Sequence, residues 1–185
     1  MVFSYRACVI VFLRFVGVVN AGVWLGAAIF LTLGAGPAFF SPEMKKLLGD
    51  SIFPAYSGAI AQIVFERYFV LQYWCSIVAL AHLIAEGLYT GKPLEKFTLG
   101  LLLGLFSLSL IGGFWLQPKL KSLHATKYYG ATQELRQQAA RSLGGWHGTA
   151  RVVDLVMMGG LLVYLWRNLN RADVPRFVST DKFRG

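Results

Sequence analysis

With 56% of its 185 residues apolar, 15% aromatic and only 15% charged, this chain departs far from a soluble domain, for which about 45–50% apolar and about 25% charged residues are usual. Its formal net charge of +9 comes from 18 Lys+Arg against 9 Asp+Glu. No zinc-finger spacing, RNA-recognition signature or basic helix interleaved with aromatics accompanies that excess, so nucleic acid is set aside and anionic lipid headgroups are the expected contact.

A span needs ~20 mostly apolar residues to cross a hydrocarbon core of ~30 Å. Met1–Gly26 opens like a signal peptide, with Arg6 before an apolar stretch. The stretch runs from Ala7 to Phe40 and is broken only by Arg14. That is far longer than a signal peptide's apolar core of ~7–15 residues, so the segment reads as a retained helix, spanning about residues 8–33. Cys8 and Cys75 both lie in apolar surroundings and read as small core residues, not as a disulfide or a metal site.

The polar connector Ser41–Arg67 carries Tyr56, Ile60 and Ile63/Val64 at helical spacing and feeds a second span at 68–89. The breaker cluster Thr90-Gly91-Lys92-Pro93 turns the chain into a third span at 97–116. A second polar connector, Pro118–Gly144, again ends at helical spacing, with Leu135, Ala139 and Leu143. The last block is the informative one. Its charge-free part, Leu155–Trp166, covers only ~18 Å as a helix. To cross, it must begin near Gly145 and take His147, Arg151 and Asp154 into the membrane, giving a span at 145–167 between Trp146 and Trp166. The alternative is a helix lying in the interface, with three spans in all.

The expected fold is therefore an all-α integral membrane four-helix bundle in one domain, residues 1–168, followed by a basic tail at 169–185. Both polar connectors emerge on one side, where the first turns of helices two and four extend beyond the bilayer as a cap. Pro37 and Pro118 each close a span before such a connector, which hints at a duplicated helical hairpin. Lys and Arg divide nine against nine between the two sides, so the positive-inside rule does not fix orientation. The basic tail favours cytoplasmic termini, in a plasma (inner) membrane.

Two features invite helix contacts. Gly22/Gly26 in helix one, extended by Gly17 and Ala21, and Gly100/Gly104 in helix three are GxxxG patterns, and Gly159-Gly160 flattens helix four. Packing within the subunit is the expected use, and a homo-oligomer or complex seam is the sharper one.

Ionisable residues fall into two groups. Helix four presents His147, Arg151 and Asp154 on one face, with Glu66 and Arg67 starting helix two at the same level. Arg151 is expected to pair with Asp154 or Glu66, because an unpaired guanidinium in hydrocarbon costs at least ~2.5–3.5 kcal/mol. On the opposite side Arg14 meets His82 and Glu86, with Asn20 near mid-depth. Three readings compete: pairs that fix helix register, a polar path for a solute or proton, and a cofactor. Bis-histidine haem between His82 and His147 would have to bridge ~20 Å along the bundle, and His82 with Glu86 supplies two metal ligands with no third in view. No cofactor and no metal is expected. The chain has no P-loop, dinucleotide fingerprint, GxSxG or HExxH, so no enzyme is expected either. His124 reads as a solvated or headgroup-contacting side chain.

The run Gly17-x-x-Asn20-Ala21-Gly22-Val-Trp24-Leu-Gly26-x-x-x-Phe30, then Gly36-Pro37-Ala-Phe39, Phe53-Pro54-x-Tyr56, Trp115-x-x-Pro118 and Trp146-His147-Gly148 resembles the transmembrane protein 205-like family. That family is a group of small four-helix membrane proteins catalogued as domain of unknown function 4149. The resemblance implies four helices and, through an association with altered drug resistance, solute handling; it implies no reaction and no catalytic residues. Copper-resistance membrane domains are similar in outline, but Asn20 stands where their helix-one histidine would be. The expected function is binding or permeation of a small solute or proton at Glu66, His147, Arg151 and Asp154. The alternatives are a structural or assembly subunit and a b-type haem redox protein.

Overall fold

The computed structural model describes residues 2–91 and 93–170, with side chains from Val9 onward. The expected basic tail falls almost wholly outside the described residues. About 91% of the chain is helical, and no strand occurs among the described residues.

Helix α1 (Val2–Ile29) continues through a π turn, Phe30–Ala35, into a last turn at Gly36–Ala38. A short α2 (Pro42–Leu48) follows, capped by Ser41, whose Oγ accepts from the Met44 N–H at 3.2 Å. Helix α3 covers Phe53–Thr90 and ends on Gly91, whose φ of 65° is the left-handed conformation that glycine adopts without penalty. Helix α4 (Lys96–Ile111) passes through a second π turn, Gly112–Leu116, into α5 (Gln117–Tyr129), and α6 runs from Gln133 to Asn170.

Among the described residues four rods are long and apolar enough to cross a membrane: Val9–Ala38, Phe53–Thr90, Lys96–Tyr129 and Gln133–Asn170. α3 and α6 have 38 residues each, or ~57 Å at 1.5 Å per residue, against a hydrocarbon core of ~30 Å. Each therefore stands well clear of the bilayer, on the side where the chain enters it. With α2 and α5 these ends form a cap.

The rods close into a ring in which α1 and α4 each lie between α3 and α6. Successive rods alternate in direction, so the two hairpins, α1–α3 and α4–α6, stand side by side. Their interior is Trp24, Leu102, Leu161 and Tyr164, all nearly inaccessible, with Ala21, Ala28 and Ala79 letting the backbones close. The exposed apolar side chains, Phe12, Phe30, Leu33, Phe114 and Trp166 among them, form the outer surface that lipid contacts in place of water.

The duplication hinted at by the two prolines has a structural counterpart. In both hairpins the residue before the proline donates its N–H five positions back: Gly36 to the Leu31 carbonyl and Gln117 to the Gly112 carbonyl. Proline has no N–H and its ring crowds the carbonyl four residues back, and one wide turn relieves both defects without breaking the rod. The second turn also needs its glycines. A Cβ on Gly112 would strike the Phe69 ring, and one on Gly113 the Tyr73 hydroxyl.

The GxxxG patterns behave otherwise. Cβ atoms placed on Gly22, Gly26, Gly100 and Gly104 would meet nothing within 4 Å. The expected packing within the subunit holds for Gly17, Ala21 and Gly160 but not for these four glycines, which face outward. Close packing comes instead from Gly17 on His82 and Gly160 on Leu105.

Candidate functional site

A chamber of about 770 Å³ runs down the bundle from the cap. On α3 its wall extends from Pro54 to Gln72 and on α6 from Ala140 to Met157, a length of ~25 Å along either helix. Both π turns contribute to the wall, through Leu31 and Thr32 in one and Gly112 and Leu116 in the other. Wide turns of this kind recur at functional sites because they re-aim the side chains around them.

The face of α6 predicted from sequence lies on this chamber: His147, Arg151 and Asp154 all belong to its wall. Their spacing of four and three residues keeps them on one side of the helix. The expected partners differ. Asp154 Oδ2 lies 2.6 Å from the Thr32 hydroxyl, which also reaches the Ala28 carbonyl at 2.8 Å. Glu66 is not part of the chamber wall; Lys121 Nζ holds its carboxylate at 2.5 Å, and Gln117 approaches the same oxygen at 3.4 Å. Glu66 is half-exposed and faces α5 rather than α6. Arg151 thus pairs with neither carboxylate among the described residues, because each is engaged elsewhere and Arg151 itself is exposed toward the chamber.

Sequence reasoning did not find Thr32, Tyr68 or Gln72. Tyr68 and Gln72 follow one another by one helical turn on α3, are 8% and 2% exposed, and line the chamber. The Gln72 side chain approaches the Tyr68 hydroxyl, so the two form a buried polar pair at the deep end of the chamber. The signal was present in the sequence, as two polar residues four apart at the start of the second span. Thr32 carried none, because the π turn that aims it is visible only in the backbone.

His124, expected to be solvated or against lipid headgroups, is half-buried. Its ring lies over Gly58, where a Cβ would collide with it, and Pro54 offers it a backbone hydrogen bond. It belongs to the chamber wall, as does Lys127, whose ammonium sits 4.8 Å from the centre of the Tyr128 ring. Trp115 and Trp146 meet edge to face at 4.9 Å beside this region.

The second cluster lies apart from the chamber, and two of its members tie helices together. His82 Nε2 is 2.7 Å from the Leu13 carbonyl and Asn20 Nδ2 donates to the Cys75 carbonyl at 2.9 Å, both bridging α1 and α3. Arg14 and Glu86 are engaged as well. His82 is thus spent on the backbone of α1, whereas His147 faces the chamber near the cap. Among the described residues no three His, Cys, Asp or Glu side chains converge as a metal site would require.

A four-helix membrane bundle with a cap-side chamber of mixed polarity is the class that this geometry defines. Within it, the chain belongs to the family described as Domain of unknown function (DUF4149), which matches residues 19–128. The match takes in Thr32, Tyr68, Gln72 and His124 but ends before α6, so the His147–Asp154 face lies beyond it. No curated protein and no solved structure matches the chain.

Proposed function

We propose that this protein is a non-enzymatic membrane protein that binds a small solute in the cap-side chamber, with Arg151 and Asp154 as the groups that receive it or a proton at membrane depth. The observation that carries the reading is the placing of the α6 polar face on a chamber of about 770 Å³. That volume falls within the ~300–1,000 Å³ of small-molecule sites. Ionisable side chains at membrane depth belong, as a rule, to substrate or proton pathways. The Thr32 hydroxyl has one proton and two oxygens within reach, the Ala28 carbonyl and Asp154 Oδ2. A proton on the carboxyl group satisfies both contacts, which gives Asp154 the chemistry of a proton-exchanging group.

The test is proton flux into liposomes that hold the purified protein and an internal pH-sensitive dye, with Asp154→Asn and Arg151→Gln beside the parent chain. Loss of flux with unchanged helical content and monodispersity supports the reading. Flux indifferent to both substitutions, or none in the parent and no solute bound, contradicts it.

A second reading, an assembly subunit, draws on the outward-facing Gly22/Gly26 and Gly100/Gly104 seams, which leave two flat strips for another membrane helix. Cross-linking between cysteines placed at Gly22 and Gly100 tests it.

A further inference from the structure

Resting on the solute-binding reading, we infer that the chamber takes an elongated anionic amphiphile: a molecule with one carboxylate or phosphate head and an apolar chain. Three features of the wall carry the inference. The first is charge. Lys127 and Arg151 stand in the wall with two imidazoles, His124 and His147; His147 lies within the electrostatic reach of Arg151, His124 and Lys127 together. Among the described residues Asp154 is the one carboxyl group in the wall, where it contacts Thr32, and Glu66 is turned away toward Lys121. An ammonium and a guanidinium, with two imidazoles beside them, therefore converge on the cap-side part of the chamber, and neither cation forms an ion pair among the described residues. Arg and Lys hold carboxylate and phosphate oxygens by charge-assisted hydrogen bonds.

The second feature is what lies below. Beyond the basic groups the wall is Phe65, Phe69, Leu108, Leu116 and Met157, a surface for an apolar chain and not for a hydrated ion. The third is shape. A wall that runs ~25 Å along the helices is long enough for an extended chain below a polar head.

One chemistry serves two sources, an anionic phospholipid of the surrounding membrane or a free single-chain organic anion, and the experiment separates them. The protein is held in non-ionic micelles and bound species are counted by native mass spectrometry. The probes are dodecyl phosphate, dodecanoate, dodecanol, dodecyltrimethylammonium, inorganic phosphate and a short-chain phosphatidylglycerol. The expected result is binding of dodecyl phosphate and dodecanoate about tenfold or more above dodecanol and dodecyltrimethylammonium, with no binding of inorganic phosphate. Lys127→Gln with Arg151→Gln lowers that binding about tenfold or more, as the loss of charge-assisted bonds predicts. Lys127→Gln alone, on the cap, gives a partial loss and guards against a double variant that fails to fold. Preference for phosphatidylglycerol assigns the membrane lipid, and preference for the single chains assigns a free anion. Equal binding of neutral, cationic and anionic probes, unmoved by the variants, overturns the anionic class while leaving a chamber that binds solutes. Equal binding of inorganic phosphate overturns the amphiphile. No binding of any probe, with Asp154-dependent proton flux intact, overturns this inference alone.

Discussion

Thr32, on the π turn of α1, and Asp154, on α6, meet at 2.6 Å across 122 residues of sequence. The contact joins the first rod of one hairpin to the last rod of the other, beside the chamber. Hydrogen bonds between membrane helices contribute ~0.6 kcal/mol on average and ~1.7 kcal/mol at most. Thr32→Val should accordingly cost about 1 kcal/mol in reversible unfolding, and it should alter proton flux as much as Asp154→Asn does. A stability loss with unchanged flux would make the pair a fastener and nothing more.

The second polar cluster predicts the opposite pattern. His82→Phe and Asn20→Leu each remove a bond from α3 to α1 or back. Each should lower stability by about 0.5–1.5 kcal/mol and leave ligand binding and flux at parental levels. Unfolding and flux measured on the same preparations would check this.

Glu66 and Lys121 form a pair whose side chains are 46% and 59% exposed. Exposed pairs contribute ~0–1 kcal/mol, so Glu66→Gln should change stability by less than about 1 kcal/mol and flux not at all. Flux lost in this variant would return Glu66 to the site, where the sequence had placed it.

Glycine substitutions separate inner from outer seams. Gly112→Val drives a side chain into Phe69 and should cost about 1–3 kcal/mol. Gly22→Val meets nothing in its own chain, so monomer stability should hold. A fall in cross-linked dimer for Gly22→Val would show that the seam has a partner helix.

The four rods were legible because lipid demands long apolar runs, and the cap because α3 and α6 begin with polar turns at helical spacing. The α6 face was legible for one reason: its apolar block is too short to cross alone. What the sequence concealed was set by backbone geometry. The ion pair expected of Arg151 failed because a π turn delivers Thr32 to Asp154, and because Glu66 points to α5. His124 looked like a surface residue in a basic connector, yet Gly58 leaves a hollow that admits its ring. The GxxxG patterns record small residues but not the direction they face, and that direction is decided by which side of each rod the large core residues, Trp24 and Leu102, occupy.

The central claim is that water reaches Asp154 from the cap through the chamber. It is tested by cysteine scanning of α6 in a chain lacking Cys8 and Cys75, with a membrane-impermeant thiol reagent applied from the cap side. His147→Cys, Arg151→Cys and Asp154→Cys should react, and Leu155→Cys and Val156→Cys on the lipid side should not. Protection at residues 151 and 154, or equal reaction all around the helix, would contradict it.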